Sequence, residues 1–160
     1  MVTVKDLEAL EVFNGFSSEQ KKKLAAICEK KKYEMGKEVY LSKFRASRLF
    51  VVVKGKVDLL AEEHDGETGL SLGTLGDGQL FGGASILKLQ RYTIAAFCLE
   101  DSELLLIESN DLFELIAGDY ELGYKLMKKV AGVYLHRYEL AKTQLHQMVK
   151  AAKGIAAGES

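Results

Sequence analysis

Between Lys32 and Ile107 the apolar residues come in short period-two runs, each stopped by glycine or by an Asp/Ser cluster, and the chain contains no proline. Short β-runs separated by turn signals are the signature of an antiparallel barrel or roll. Val39 and Leu41 alternate with Tyr40 and Ser42, and Arg48 to Val53 is nearly continuous and β-branched. Gly55 must turn or bulge the chain before Val57, Leu59 and Ala61 resume the alternation. His64-Asp65-Gly66-Glu67 has the composition of a hairpin tip, after which Leu70, Leu72 and Thr74 return. Ile94 to Leu99 and Leu104 to Ile107 supply the last two strands.

Helical patterns flank this region. Ser17-Ser-Glu-Gln20 matches a capping box and predicts a helix to about Glu29, with Leu24, Ile27 and Cys28 on its inner face. Lys21 to Lys23 and Lys30 to Lys32 are diluted by Glu19, Glu29 and Glu34, which reads as a solvated helix face rather than a nucleic-acid surface. Leu112, Phe113, Leu115 and Ile116 predict a short helix with Gly118 at its stop, and Asp119 caps the next. The last helix is long, about Tyr120 to Ala152, and Met127, Ala131, Tyr134, Tyr138, Ala141, Leu145, Met148 and Ala152 fall in alternating steps of four and three. At about 1.5 Å per residue it spans roughly 50 Å, more than a small barrel covers. The distal half therefore needs a partner, and a second copy making a homodimer is the simplest one. Residues 1–152 read as one domain and 153–160 as a flexible tail.

One stretch stands out chemically. Leu75 to Thr93 carries Gly76, Gly78, Gly82 and Gly83 ahead of a short helical turn, whose first amides point outward and can meet an anion. Arg91 offers a fork of donors suited to phosphate oxygens. Taken alone, such a loop reads better as a surface hairpin than as a binding site.

The wider pattern resembles the cyclic nucleotide-binding domain family, the effector domain of catabolite-activator-type regulators and of the protein kinase A regulatory subunit. Its carriers are Tyr33 with Gly36 and Glu38, the run Leu49-Phe-Val-Val-Val-Lys-Gly55-Lys-Val57, Gly78 with Phe81-Gly82, Arg91, and Glu103-Leu-Leu-Leu-Ile107. The resemblance implies a mainly β fold with flanking helices, an antiparallel double-stranded β-helix (a jelly-roll-like β-roll) followed by a long C-terminal helix. It also implies a site in which Phe81 seats the turn, the amides of Gly82, Gly83, Ala84 and Ser85 meet a phosphate, and Arg91 neutralises it. Thr93 can add a hydroxyl, and Arg137 and Tyr138 are the part of the long helix that reaches a base. Two positions depart from the family: Gly83 stands where a glutamate holds the ribose hydroxyl, and Tyr92 where a small residue is usual.

Two functions remain open on this reading. One is a regulatory sensor that binds a cyclic nucleotide such as cAMP or cGMP, or a similar small anion, and signals through the long helix. The other is an interaction module that kept the roll and lost the ligand. A net charge of −1 argues against a broad nucleic-acid surface. With only about eight residues after the long helix, direct DNA reading by this chain is not expected. Cys28 and Cys98 lie among apolar neighbours as buried thiols, and His64, His136 and His146 form no metal-ligand set with them. Neither an enzyme motif nor a membrane span is evident, and a cytoplasmic location is the expectation.

Overall fold

The computed structural model describes residues 1–61, 69–87 and 89–158. The hairpin tip expected at His64 to Glu67 lies outside them. Among the described residues, eight strands form two four-stranded antiparallel sheets. One sheet runs in the order β1 (Cys28–Tyr33), β8 (Ser102–Glu108), β3 (Arg48–Lys54), β6 (Leu80–Phe81). The other runs β2 (Glu38–Tyr40), β7 (Ala95–Cys98), β4 (Val57–Ala61), β5 (Leu70–Leu75). The expected β-roll and long helix are thus present.

The continuous apolar runs have a physical reason. β3 and β8 pair along most of their length and are covered on both faces, so both residues of each alternation must be apolar. Leu49, Val51, Leu105 and Ile107 face a core shared with the helices, whereas Phe50, Val52, Leu104 and Leu106 face the roll interior. Gly55 closes the β3–β4 turn at φ +112°, and a Cβ there would stand 2.3 Å from the Ser102 hydroxyl oxygen. Position 55 therefore requires glycine in both conformation and space.

The helices are α1 (Val4–Glu8), α2 (Ser18–Ala26), α3 (Ser109–Gly118) and α4 (Tyr120–Gly158). Ser17 caps α2 as expected, its hydroxyl accepting from the Gln20 amide while the Gln20 side chain accepts from the Ser17 amide. The helix nevertheless stops at Ala26, and Cys28 to Tyr33 pair with β8 instead. The lysines Lys30 to Lys32 accordingly lie on a strand at the sheet's edge, where charge discourages pairing with another chain. Asp119 caps α4 through the Leu122 amide.

α4 is longer than expected. Its 39 residues rise about 58 Å, and the stretch read as a tail from Lys153 stays helical to Gly158. The steps of four and three reach Ile155, so nothing in the pattern ends the helix at Ala152. Its first half packs on its own domain through Leu122, Leu126 and Val130. Beyond it, Leu145, Met148 and Ile155 are 63%, 55% and 67% exposed.

Candidate functional site

The glycine-rich stretch forms one continuous device. β6 pairs with Phe50 and Val51, which buries Phe81 and stacks its ring on Phe50 at 5.1 Å. Gly82 follows at φ +78°, and a Cβ on it would lie 2.8 Å from both the Arg48 carbonyl and the Phe50 ring. Only glycine fits there. The chain then makes a single 3-10 turn, Gly83–Ser85, in which Ser85 is buried and its hydroxyl donates to the Gly82 carbonyl at 2.9 Å. The Ser85 proton is thus committed within the turn. Ala84 is buried against the roll interior.

Arg91, expected to neutralise a phosphate, and its neighbour Tyr92 take opposite directions. Tyr92 points into the roll, 5% exposed, with its ring stacked on Tyr40 at 3.8 Å. Its phenol donates to the Arg48 carbonyl at 2.9 Å and accepts from the Arg48 amide at 3.1 Å. Burial pushes the Tyr92 pKa up, opposed by those backbone bonds. Arg91, one residue earlier, must face outward; it is exposed and donates to the Lys43 carbonyl at 2.6 Å. The structure therefore sets Arg91 outside the roll interior, and Thr93 is exposed as well. Tyr40, Phe50, Phe81 and Tyr92 form a connected aromatic group inside. Burial raises the Tyr40 pKa, and its phenol bonds to the Gly82 backbone.

α4 closes the open side. A Cβ on Gly83 would stand 2.6 Å from the Tyr134 hydroxyl oxygen and 2.7 Å from its ring, so Tyr134 occupies the space where a side chain at 83 would begin. Arg137, one turn further, donates to the Leu80 carbonyl at 2.5 Å and lies 5.6 Å from the Tyr134 ring centre. Burial pushes the guanidinium pKa down, while Tyr134 and Tyr40 oppose that shift. Among the described residues no carboxylate lies within ion-pair distance of Arg137. Tyr138 is 62% exposed, with Lys142 near its ring, so of the two expected helix contacts only Arg137 reaches the site.

A cavity of about 790 Å³ opens between α4, the β4–β5 surface and the Gly78–Leu80 turn. Leu59, Leu72, Leu75 and Leu80 give it an apolar floor, Val133 and Leu140 an apolar wall, and Lys125, Lys128, Lys129, His136 and Arg137 a basic side; among the described residues Glu11 is the one carboxylate that lines it. The sequence pattern puts Tyr134 in the helix seam with Tyr138, Leu145 and Met148; the structure turns it instead onto Gly83.

Comparison with known proteins agrees with this architecture. The family model described as the cyclic nucleotide-binding domain matches residues 30–119. The cyclic AMP receptor protein of Thermus thermophilus is 30% identical over 105 residues, covering 66% of this chain and 48% of its own. The match thus spans about half the length of that relative. The solved catabolite activator protein of Thermus thermophilus superposes with a TM-score of 0.70 at 25% identity, covering 86% of this chain and 62% of that one. The regulatory subunit of a cAMP-independent protein kinase A from Trypanosoma brucei gives 0.73 at 15% identity, over 89% and 50% of the two chains, a likeness of fold.

Proposed function

The chain belongs to the cyclic nucleotide-binding domain family, and from that premise we propose that it is a regulatory sensor of a small organic anion held between the roll and α4. The anion is received by Arg137 from the helix side, and not by Arg91 from the cassette. Arg137 carries this reading: a half-buried guanidinium with no carboxylate partner among the described residues, in the wall of a cavity of about 790 Å³, is costly to keep unless an anion answers it. The leucine floor favours a ligand with an apolar or aromatic body.

A cyclic nucleotide remains a candidate ligand on this reading, with its phosphate turned toward α4. The position to which the resemblance assigns the ribose contact is Gly83, which has no side chain to offer and lies beneath Tyr134. The signal passes through α4, since that helix supplies the anion contact and its exposed distal seam supplies the output. We infer that Tyr138, Leu145, Met148 and Ile155 pair with the same helix of a second copy. The role is regulatory rather than catalytic.

A melting screen tests the assignment. Cyclic AMP, cyclic GMP and octanoate are added at matched ionic strength, and a ligand specific to the native state raises the melting temperature by mass action. A rise with at least one of them supports the sensor. The filled interior and the Tyr134 cover favour a second reading, an interaction module without ligand, and no rise with any of the three supports that instead.

A further inference from the structure

On the outer face of the cassette the chain holds two arginines against each other. Residues 44–46 and 90–92 run antiparallel, the Tyr92 amide donating to the Phe44 carbonyl at 2.9 Å and the Ala46 amide to the Gln90 carbonyl at 3.1 Å. Arg45 and Arg91 are the directly opposed pair between these two bonds. In such a pair the Cα atoms approach to about 4.5 Å and both side chains leave the same face. Like charges so placed repel. Among the described residues neither guanidinium has a carboxylate within ion-pair distance, and Glu108, beside the cleft in sequence, is already held by Arg48. The bond from Arg91 to the Lys43 carbonyl orients the guanidinium without neutralising it.

Both arginines line a cleft of about 560 Å³, distinct from the α4 cavity. Gln90 and Asn110 bring amide groups to it, and Leu89 and Phe113 give it apolar walls. We propose that this cleft is a second ligand site and that it binds a phosphate monoester. Two adjacent guanidinium forks match the several oxygens of a phosphoryl group. A dianion, close to −2 at neutral pH, offsets both charges where a carboxylate offsets one. The apolar walls receive the organic body that carries the phosphate. That body belongs either to a free phosphorylated metabolite or to a phosphorylated residue of a partner chain.

The test is a titration of the ¹⁵N-labelled full chain with phenyl phosphate, with acetate as the control at equal ionic strength. Saturable shifts at Gln90, Arg91 and Asn110, absent with acetate, are expected. Arg45→Gln and Arg91→Gln should each weaken phenyl phosphate binding tenfold or more; both arginines are exposed, and the amide spectrum itself reports that the variants stay folded. Arg137→Gln should leave this affinity unchanged, which keeps the result independent of the α4 cavity. A phosphoserine peptide binding tenfold tighter than phenyl phosphate assigns the site to a partner chain, and equal affinities assign it to a metabolite. The proposal is overturned by no saturation up to about 10 mM, by equal binding of acetate, or by affinity that survives both arginine substitutions.

Discussion

Replacing Gly83 by alanine adds one methyl group beneath the Tyr134 ring, 2.6 Å from its hydroxyl oxygen and 3.1 Å from the carbon that bears it. Both distances are inside van der Waals contact, so something must move. Gly83 is not among the positive-φ glycines and starts a 3-10 turn, so alanine meets no backbone strain and the whole cost falls on the tyrosine. Tyr134 is 40% exposed and is reached at the far end of its side chain, which lets it swing toward solvent. Overpacking a well-filled site costs about 1–3 kcal/mol, and this freedom places the effect in the lower half, about 1–2 kcal/mol. Part of it is the lost Arg137–Tyr134 contact, about 0.5–1 kcal/mol. Urea denaturation of Gly83→Ala, Tyr134→Ala and the double variant isolates the interaction. In the Tyr134→Ala background the alanine should be neutral, or stabilising by up to about 1 kcal/mol through reduced chain entropy. Equal costs in both backgrounds would refute the claim that Tyr134 fills the space above Gly83. Gly83→Glu, which supplies the carboxylate that the resemblance implies at this position, meets the same ring and should lose stability in the same way.

Other substitutions probe other parts of the account. Tyr92→Phe removes the phenol that pairs both backbone groups of Arg48 and should cost about 1–2 kcal/mol in urea denaturation, with the stacked ring retained; a neutral result would mean that Arg48 finds other partners. The double variant Leu145→Glu, Met148→Glu should halve the mass seen by sedimentation equilibrium, and an unchanged mass would remove the distal seam as the dimer contact. The Leu122 amide, and after it Lys23, hold the Asp119 carboxyl below its usual pKa. A depressed folded pKa gives stability that is present above the unfolded value and lost as pH falls through the folded one, so Asp119→Asn should flatten the decline in stability below about pH 4. An identical acid profile would show that the cap does not discriminate charge.

The roll was legible in the sequence because its turns are written in glycine and its strands in alternation. Gly55 and Gly82 sit where an added Cβ would strike Ser102 or Phe50, so their positions mark real constraints. The end of α2 was harder to read, because Cys28 to Tyr33 carry helix-compatible lysines and owe their strand conformation to pairing with β8. The site was half legible. Phe81, Gly82 and Arg137 can be picked out from the sequence and lie close together in the structure, but the direction of Arg91 depends on strand alternation, which puts either residue 91 or residue 92 inside. Tyr92 is inside because an aromatic ring in contact with Tyr40 buries apolar surface, whereas a guanidinium there would lose its hydration. The Tyr134 cover depends on how α4 docks, and local sequence does not carry that information.

The choice between Arg137 and Arg91 as the receiver of the anion is tested most directly by isothermal titration of cyclic AMP, cyclic GMP and octanoate into the wild type, Arg137→Gln and Arg91→Gln. Glutamine at 137 keeps a donor for the Leu80 carbonyl and removes only the charge. A charge-assisted bond contributes about 1.5–3 kcal/mol, so any ligand that binds the wild type should lose roughly tenfold to a hundredfold in affinity with Arg137→Gln and be unaffected by Arg91→Gln. Affinity lost with Arg91→Gln and kept with Arg137→Gln would contradict the account and return the anion to the cassette.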